Sequence, residues 1–396
     1  MTREIDAVIA GHICFDVIPT FPKGADKIAD LLIPGTLVNM GEVTTSTGGP
    51  VSNTGIALNR LGMRTELMGK VGDDFFGEAL LSRLRGIGME EGMIVVPGEQ
   101  TSYTIVIAPP GIDRMFLHCP GANNTFRADD IRLDVVESAR LFHLGYPPLM
   151  EALFRDDGEQ LAETFRRAKG TGATTSLDMS LPDPKSPSGR LNWRPVLERT
   201  LPHVDLFVPS AEEMLFMLHQ STYLKRKAEA KGADMLDFIT PEDISWMAGE
   251  CFEMGAKILL IKCGHRGIYC RTASEESLAE IGEAKPGPGF AHREVWSPSF
   301  HVENVAGATG SGDSSIAGFL ASYLRGLPLE DCIRIANAVG GCNVTRPDAL
   351  SGILTWDETL AKIDAGWKRN GIQVASAGWR FSAKEILWHG PKDQPV

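Results

Sequence analysis

The sequence predicts an α/β protein in which a mostly parallel central sheet is covered by helices on both faces and carries a small β-lid. Three features of the 396-residue chain predict it. Short apolar runs alternate with helical stretches of about 10 to 15 residues, the rhythm of crossover units that lay strands parallel. Two β-rich segments, about residues 17–47 and 100–126, interrupt that rhythm and together suit a lid. Late in the chain a glycine loop, "GATGSGD", opens directly into an apolar helical pattern.

In chain order, "DAVIAGHICFDVI" is an apolar run short enough for a buried strand, with Asp16 at its end. "TGGPVSNTGIALNRLG" then places Thr54, Ala57, Leu58 and Leu61 at helical spacing, with Gly62 as the C-terminal cap. "TELMGKVGDDFFGEALLSRLRGIG" adds a strand and a helix, and "TSYTIVIAPPGIDRMFLHCPGANNTF" reads as a hairpin turning at "PPGIDR". Beyond it, the apolar strands "ARLFHLG", "TTSLDMS", "VDLFVPS" and "KILLIKCG" alternate with the helical "EQLAETFRRAKGTG" and "MAGECFEMGAK". "YLKRKAEAKGADMLDF" and "EAKPGPGFAHREVW" read as surface insertions, since the rhythm resumes after each. Residues 1–396 therefore form a single domain, whose stretch 370–396, with Trp379 and Trp388, is a C-terminal extension without an assigned role.

A formal net charge of −12 argues against nucleic acid or an anionic membrane as partner, because both require a basic face. Any phosphate must then be held locally. The seven cysteines are scattered without a metal-type pair, which suits a reduced, cytoplasmic setting; Cys263 and Cys270 lie in strand-like context and read as core. Neither an export signal nor a membrane span is expected, since no stretch approaches the roughly 18 apolar residues that a spanning helix requires.

The chemistry concentrates in "GATGSGD". Gly307, Gly310 and Gly312 let the backbone take positive φ and approach a ligand, and Ile316, Phe319, Leu320, Tyr323 and Leu324 form the helix stripe behind them. Such a loop points unpaired N–H groups and the positive end of a helix dipole at whatever lies in front, which favours a phosphate or a developing oxyanion. Asp313 would stand beside it as a base able to take a hydroxyl proton, or alternatively as an ordinary helix cap. The loop is neither a Walker loop, lacking Gly-Lys-Ser/Thr, nor a dinucleotide fingerprint. Polar residues suited to orienting several hydroxyls lie in the N-terminal half: Asp16 at a strand end, Gly48, Gly49 and Asn53 at a helix start, and Asn123 in the lid hairpin. Each also has a structural alternative, as turn, cap or Asx-turn.

These residues resemble the ribokinase-like (PfkB-type) carbohydrate kinases. The first signature of that family is similar to "GGPVSNTGIALNRLG…GKVGDDFFGE", residues 48–78, and the second to "GSGDSSIAGFLASYLRG", residues 310–326. "FLHCPGAN", "LDMSLPDP", "PSAEE" and "IKCGHRG" fall between them in the family's order, and the likeness covers about residues 5–365. The resemblance implies a ribokinase-like three-layer sandwich with a β-lid. It also implies transfer of the γ-phosphoryl group of ATP, with Mg2+, to a primary hydroxyl of a small-molecule sugar or sugar-like alcohol. By the same resemblance Asp313 is the base, with the backbone of Gly310, Ser311 and Gly312 as the anion hole. Asp16, Gly48, Gly49 and Asn53, with Asn123, bind the sugar. Ser210, Glu213, Lys262, Gly264, Gly267 and Asn337 serve the nucleotide, and Glu213 orders the magnesium through water.

Four positions depart from the family pattern: Gly307 and Ala308 replace an Asp-Thr pair that includes a monovalent-cation ligand, Ser210 replaces Asn, and Pro50 replaces the lysine of ribokinases. Two other readings stay open. A nucleoside is one alternative acceptor, its base stacked on Tyr103, Phe116 or Phe126, although those rings serve equally as the lid's own core; a non-catalytic sugar or nucleotide sensor is the other. Lids of this kind often pair two subunits, which makes a homodimer through the β-lid the candidate macromolecular partner.

Overall fold

The computed structural model describes residues 3–22, 28–110 and 115–394. Among them run sixteen strands: β1 (Ile5–Gly11), β2 (Cys14–Pro19), β3 (Val43–Gly48), β4 (Thr65–Met68), β5 (Lys70–Gly72), β6 (Ile94–Val96), β7 (Tyr103–Ile107), β8 (Met115–Cys119), β9 (Ala139–Gly145), β10 (Thr174–Leu177), β11 (Leu206–Phe207), β12 (Ile258–Lys262), β13 (Ile268–Thr272), β14 (Glu294–Ser297), β15 (Arg380–Ser382) and β16 (Leu387–His389). Ten of them form one sheet in the order β15-β16-β14-β13-β12-β11-β10-β9-β1-β4. From β4 to β12 every neighbour is parallel, and from β12 to β15 every neighbour is antiparallel.

The continuous hydrophobicity of the parallel strands follows from burial on both faces. In β1, Val8 and Ala10 join one apolar cluster, with residues of the helices Glu151–Gly170 and Pro241–Glu253. Ala7 and Ile9 join the other, with residues of Pro50–Arg60, Ser311–Leu324 and Leu329–Asn343. Helix, sheet and helix make the three layers that the sequence predicts.

One boundary differs from expectation. "DAVIAGHICFDVI" is not one strand, because the chain leaves the central sheet at Gly11, which has φ 118°, and re-enters a second sheet at Cys14. A Cβ at Gly11 would lie 2.4 Å from the Gly145 carbonyl oxygen, so only glycine makes the bend beside β9. Asp16 therefore belongs to the second sheet and not to the end of β1. That sheet has the order β3-β2-β7-β8, and β7 and β8 pair antiparallel from Tyr103↔Cys119 to Ile107↔Met115. Part of the expected turn, residues 111–114, lies outside the described residues.

The two stretches read as surface insertions reach further inward than their composition suggests. "EAKPGPGFAHREVW" ends in β14, whose four residues are buried between β13 and β16. In the other, Leu236 of the short turn Met235–Phe238 lines the central cleft. The C-terminal stretch extends the main sheet through β15 and β16. Trp379 packs edge-on to Trp296 at 6.2 Å, and Asp393 pairs with the buried Arg293 guanidinium at 2.7 Å. No helix among the described residues is long and apolar enough to cross a membrane.

Candidate active site

The parallel strands end on one side in a cleft with two adjoining cavities, of about 210 and 590 Å³, which share Lys262, Ser311 and Gly312. Ligands of open parallel sheets sit at this end, where loops after the strands diverge. At its floor begins the helix Ser311–Leu324. Gly310 caps it with φ 71°, and a Cβ there would lie 2.5 Å from Ala349 Cβ. Asp313 is therefore not the cap: it occupies the first turn, 2% exposed. The N–H groups of Gly312 and Asp313 lie where no preceding helical carbonyl can accept them, whereas the Ser311 N–H donates to the Ala308 carbonyl at 3.2 Å.

Three side chains from two other elements hold the Asp313 carboxylate. Asn53 Nδ2 donates to Oδ2 at 2.9 Å and Thr54 Oγ1 to Oδ1 at 3.5 Å, both from the helix Pro50–Arg60. Tyr146, immediately after β9, donates its hydroxyl at 3.1 Å to each oxygen. Burial raises the Asp313 pKa above the ordinary carboxylate value, and the Asn53 bond, the Lys262 charge and the Tyr146 and Thr54 bonds oppose it without cancelling it. The cost of desolvating a fully buried carboxylate thus outweighs three donors and a neighbouring cation together.

Beside Asp313 lies a second charge cluster. Lys262, at the end of β12, donates to the Asp178 carboxylate and to the Val208 carbonyl. Burial works against its charge, but Asp178, Glu213 and Asp313 prevail and raise its pKa. Burial pushes Asp178 up to about 8 despite Lys262, with Glu213 and Asp313 adding repulsion. Glu213 forms a capping box with Ser210: its Oε2 accepts the Ser210 N–H at 2.6 Å, and its own N–H donates to Ser210 Oγ at 3.3 Å. Among the described residues no three His, Cys, Asp or Glu side chains group closely enough to hold a metal alone. A single carboxylate such as Glu213 nevertheless fits Mg2+, which keeps much of its water and takes its other ligands from phosphate.

The remaining sequence-predicted residues fall in two groups. On the lid, Asp16 accepts from Cys14 Sγ at 3.2 Å, and burial raises its pKa to about 6. A Cβ at Gly48 would lie 2.4 Å from Asp16 Oδ2, and one at Gly49 2.5 Å from the His12 carbonyl oxygen, so both glycines make room for the Asp16–His12 wall. Asn53 keeps its Oδ1 buried without a partner, a free acceptor beside the Asp313 carboxylate. Asn123 differs: it lies in the turn Gly121–Thr125 after the hairpin, and its amide clamps both the N–H and the carbonyl of Ile13. In the larger cavity stand Gly264, Gly267 and Asn337, the last donating to the Ser297 carbonyl at 3.2 Å. Gly267, at φ 91°, is required by packing, since a Cβ would meet the Ser297 carbonyl oxygen.

Sequence reasoning missed Tyr146, Asp178, His12 and His118. His12 Nε2 meets His118 Nε2 at 3.3 Å, joining the body to lid strand β8, and burial lowers the pKa of both rings. Tyr146 and Asp178 each follow directly on a parallel strand, the one positional signal available for them. The rings proposed for stacking a base are placed otherwise. Tyr103 packs on Phe76 at 5.1 Å and Phe126 is fully buried, while Phe116 lies far out on the lid and exposed.

The fold is that of the ribokinase-like kinases. Among solved structures, the chain matches fructokinase with bound ATP from Xylella fastidiosa with a TM-score of 0.67 at 20% identity, covering 92% of this chain and 99% of that one. It matches Arabidopsis thaliana ribokinase complexed with ribose and ATP at 0.65 and 18% identity, covering 90% and 98%. The pfkB family carbohydrate kinase profile matches residues 6–356, and the chain belongs to that family: it is a carbohydrate kinase. Relatives include probable fructokinase-4 of Arabidopsis thaliana, 28% identical over 88% of this chain and 93% of the relative. Another is an uncharacterized sugar kinase of Archaeoglobus fulgidus, 23% identical over 75% and 98%.

The raised Asp313 pKa makes a stability prediction. The folded state retains this proton at pH values where the unfolded chain has lost it, so the ionised group costs stability as pH rises from the ordinary carboxylate value through the raised one. Asp313→Asn is expected to shift Tm, relative to the parent protein, more favourably at pH 8 than at pH 4. Equal shifts at both pH values in calorimetry would contradict the assignment.

Proposed function

We propose that the protein transfers the γ-phosphoryl group of ATP to a primary hydroxyl of a sugar or sugar-like alcohol, with Asp313 as the base. The observation that carries this reading is the buried carboxylate at the opening turn of Ser311–Leu324, where the two cavities meet. An acceptor hydroxyl next to it can lose its proton to Asp313 as the bond to phosphorus forms, while the first-turn N–H groups face the charge that develops on the transferring group. Gly264, Gly267 and Asn337 border the cavity assigned to the nucleotide. Magnesium, ordered through water by Glu213 beside Ser210, would neutralise phosphate charge. Lys262 supplies a fixed ammonium against Gly312, where a Cβ would lie 3.5 Å from Lys262 Cε.

For the acceptor, Asp16 and Asn53 offer hydroxyl-binding oxygens, Gly48 and Gly49 shape the wall, and Asn123 acts through the Ile13 backbone. The fructokinase names of several relatives make D-fructose the first acceptor to test. ADP formation from MgATP over a panel of D-fructose, D-ribose, D-glucose and adenosine should show turnover of a sugar. Asp313→Asn should lower kcat about 10³-fold with the ATP Kd nearly unchanged. Retention of most of the rate would remove Asp313 as the base, and turnover of adenosine alone would favour the nucleoside reading.

Asp16 titrates near 6 and binds hydroxyls best as the ionised acceptor. The acceptor KM is therefore expected to rise as pH falls below about 6, and Asp16→Asn to abolish that rise; a KM independent of pH in the parent would argue against a sugar contact.

The lid offers a pairing surface for a second copy of the chain, since β8 is an edge strand whose Phe116 and Leu117 are each 55% exposed. Sedimentation should give a dimer that Phe116→Asp converts to monomer; a monomeric parent protein would refute it.

A further inference from the structure

Tyr146 is held in a conformation that a tyrosine normally avoids. Its φ of 63° and ψ of 42° are left-handed, and Pro147 follows it, which restricts the preceding residue further. Glycine would adopt this backbone without strain. Strain kept at a bulky residue points to a use for its side chain, provided that the side chain is seen doing something. Here it is: the phenol meets both oxygens of Asp313 equally, at 3.1 Å.

The other two side chains on that carboxylate come from the helix Pro50–Arg60. Asn53 and Thr54 are 5% and 0% exposed and do not line the smaller cavity, whereas Tyr146 and Asp313 do. The phenol is thus the donor to Asp313 that borders this cavity. Burial raises the Tyr146 pKa well above its ordinary value, aided by Asp313, Asp178 and Glu213, so the hydroxyl keeps its proton and remains a donor. Its backbone is fixed as well, through the Tyr146 N–H to the Asp178 carbonyl at 3.3 Å and the Leu149 N–H to the Tyr146 carbonyl at 3.0 Å.

We infer that Tyr146 is a positioning residue for Asp313: its hydroxyl fixes the plane of the carboxylate and holds it ionised until the acceptor hydroxyl takes over one of the two oxygens. This inference rests on the reading of Asp313 as base. In the parent protein the phenol spans both oxygens, and when the acceptor binds, it keeps one while the acceptor proton is directed at the other. The charged and titratable groups that face the pair are Lys262 on β12, Asp178 after β10, Glu213 on the helix Ala211–Leu218, and His12, whose ring lies 6.2 Å from that of Tyr146.

The test compares Tyr146→Phe, Asp313→Asn and the double variant with the parent protein. Phenylalanine keeps the ring and removes only the hydroxyl. Thermal unfolding from pH 4 to pH 9 needs no substrate. Tyr146→Phe should lower Tm more at high pH, where Asp313 is ionised, than at low pH, and in the Asp313→Asn background its effect should be small and independent of pH. In turnover of D-fructose, or of whichever acceptor the panel above identifies, Tyr146→Phe should reduce kcat roughly tenfold to hundredfold, the range expected for a donor to a charged group. The acid limb of its kcat profile should move to higher pH, with KM changed far less than kcat. A pH-independent loss of stability, equal in both backgrounds, would make Tyr146 a packing residue. A raised KM with an unmoved acid limb would make it a sugar contact, and either result overturns the inference. Failure of the base reading is seen separately, as turnover surviving in Asp313→Asn alone.

Discussion

The burial of one carboxylate organises this molecule. Asp313 sits at the start of a helix that glycine alone could begin at that angle, and its charge is tolerated because Asn53, Thr54 and Tyr146 converge on it. Those donors come from the helix Pro50–Arg60 and from the end of β9, with Asn53 260 residues and Tyr146 167 residues away from Asp313 along the chain. Their net effect falls short of full compensation, and the group is left a stronger base than a carboxylate in water. The same arrangement closes the body of the protein: the helices Pro50–Arg60 and Ser311–Leu324 lie side by side in one apolar cluster, so Asp313 cannot shift without disturbing the core.

Around that centre the cleft divides its labour by charge. On one side, the lid brings Asp16, and His12 and His118 are kept neutral by burial. On the other, Lys262 is held among Asp178, Glu213 and Asp313, a buried positive charge whose surroundings keep it protonated. In a protein of net charge −12, one ammonium and the helix-terminal N–H groups supply a local positive field over a few ångströms. Gly307 and Ala308 bring no side-chain carboxylate to the glycine loop, and Lys262 lies against its Gly312, where a Cβ would be 3.5 Å from Lys262 Cε.

Much of this was legible in the residues. The strand-and-helix rhythm gave the layers, and the glycine loop before an apolar helix marked the floor of the cleft. What escaped were residues whose importance lies in distant partners. Tyr146 and Asp178 follow unremarkable strand ends, and nothing local tells that one reaches Asp313 and the other Lys262. Asn123 carried a hydroxyl-binding expectation from its neighbourhood, yet its amide is engaged by Ile13, which lies 110 residues away. The C-terminal stretch ends the main sheet: β15 is its edge strand, with Arg380 and Phe381 exposed, and the packing of Trp379 on Trp296 ties the stretch to the body.

The sequence by itself determined the fold class, the family and the glycine loop that opens the helix Ser311–Leu324, because periodicity and glycine placement act over a few residues and are written in consecutive positions. The tertiary structure decided how the carboxylate is held, which groups share its field and where the lid begins. These depend on burial and on donors drawn from separate elements, and desolvation exists only once the chain has closed around the charge.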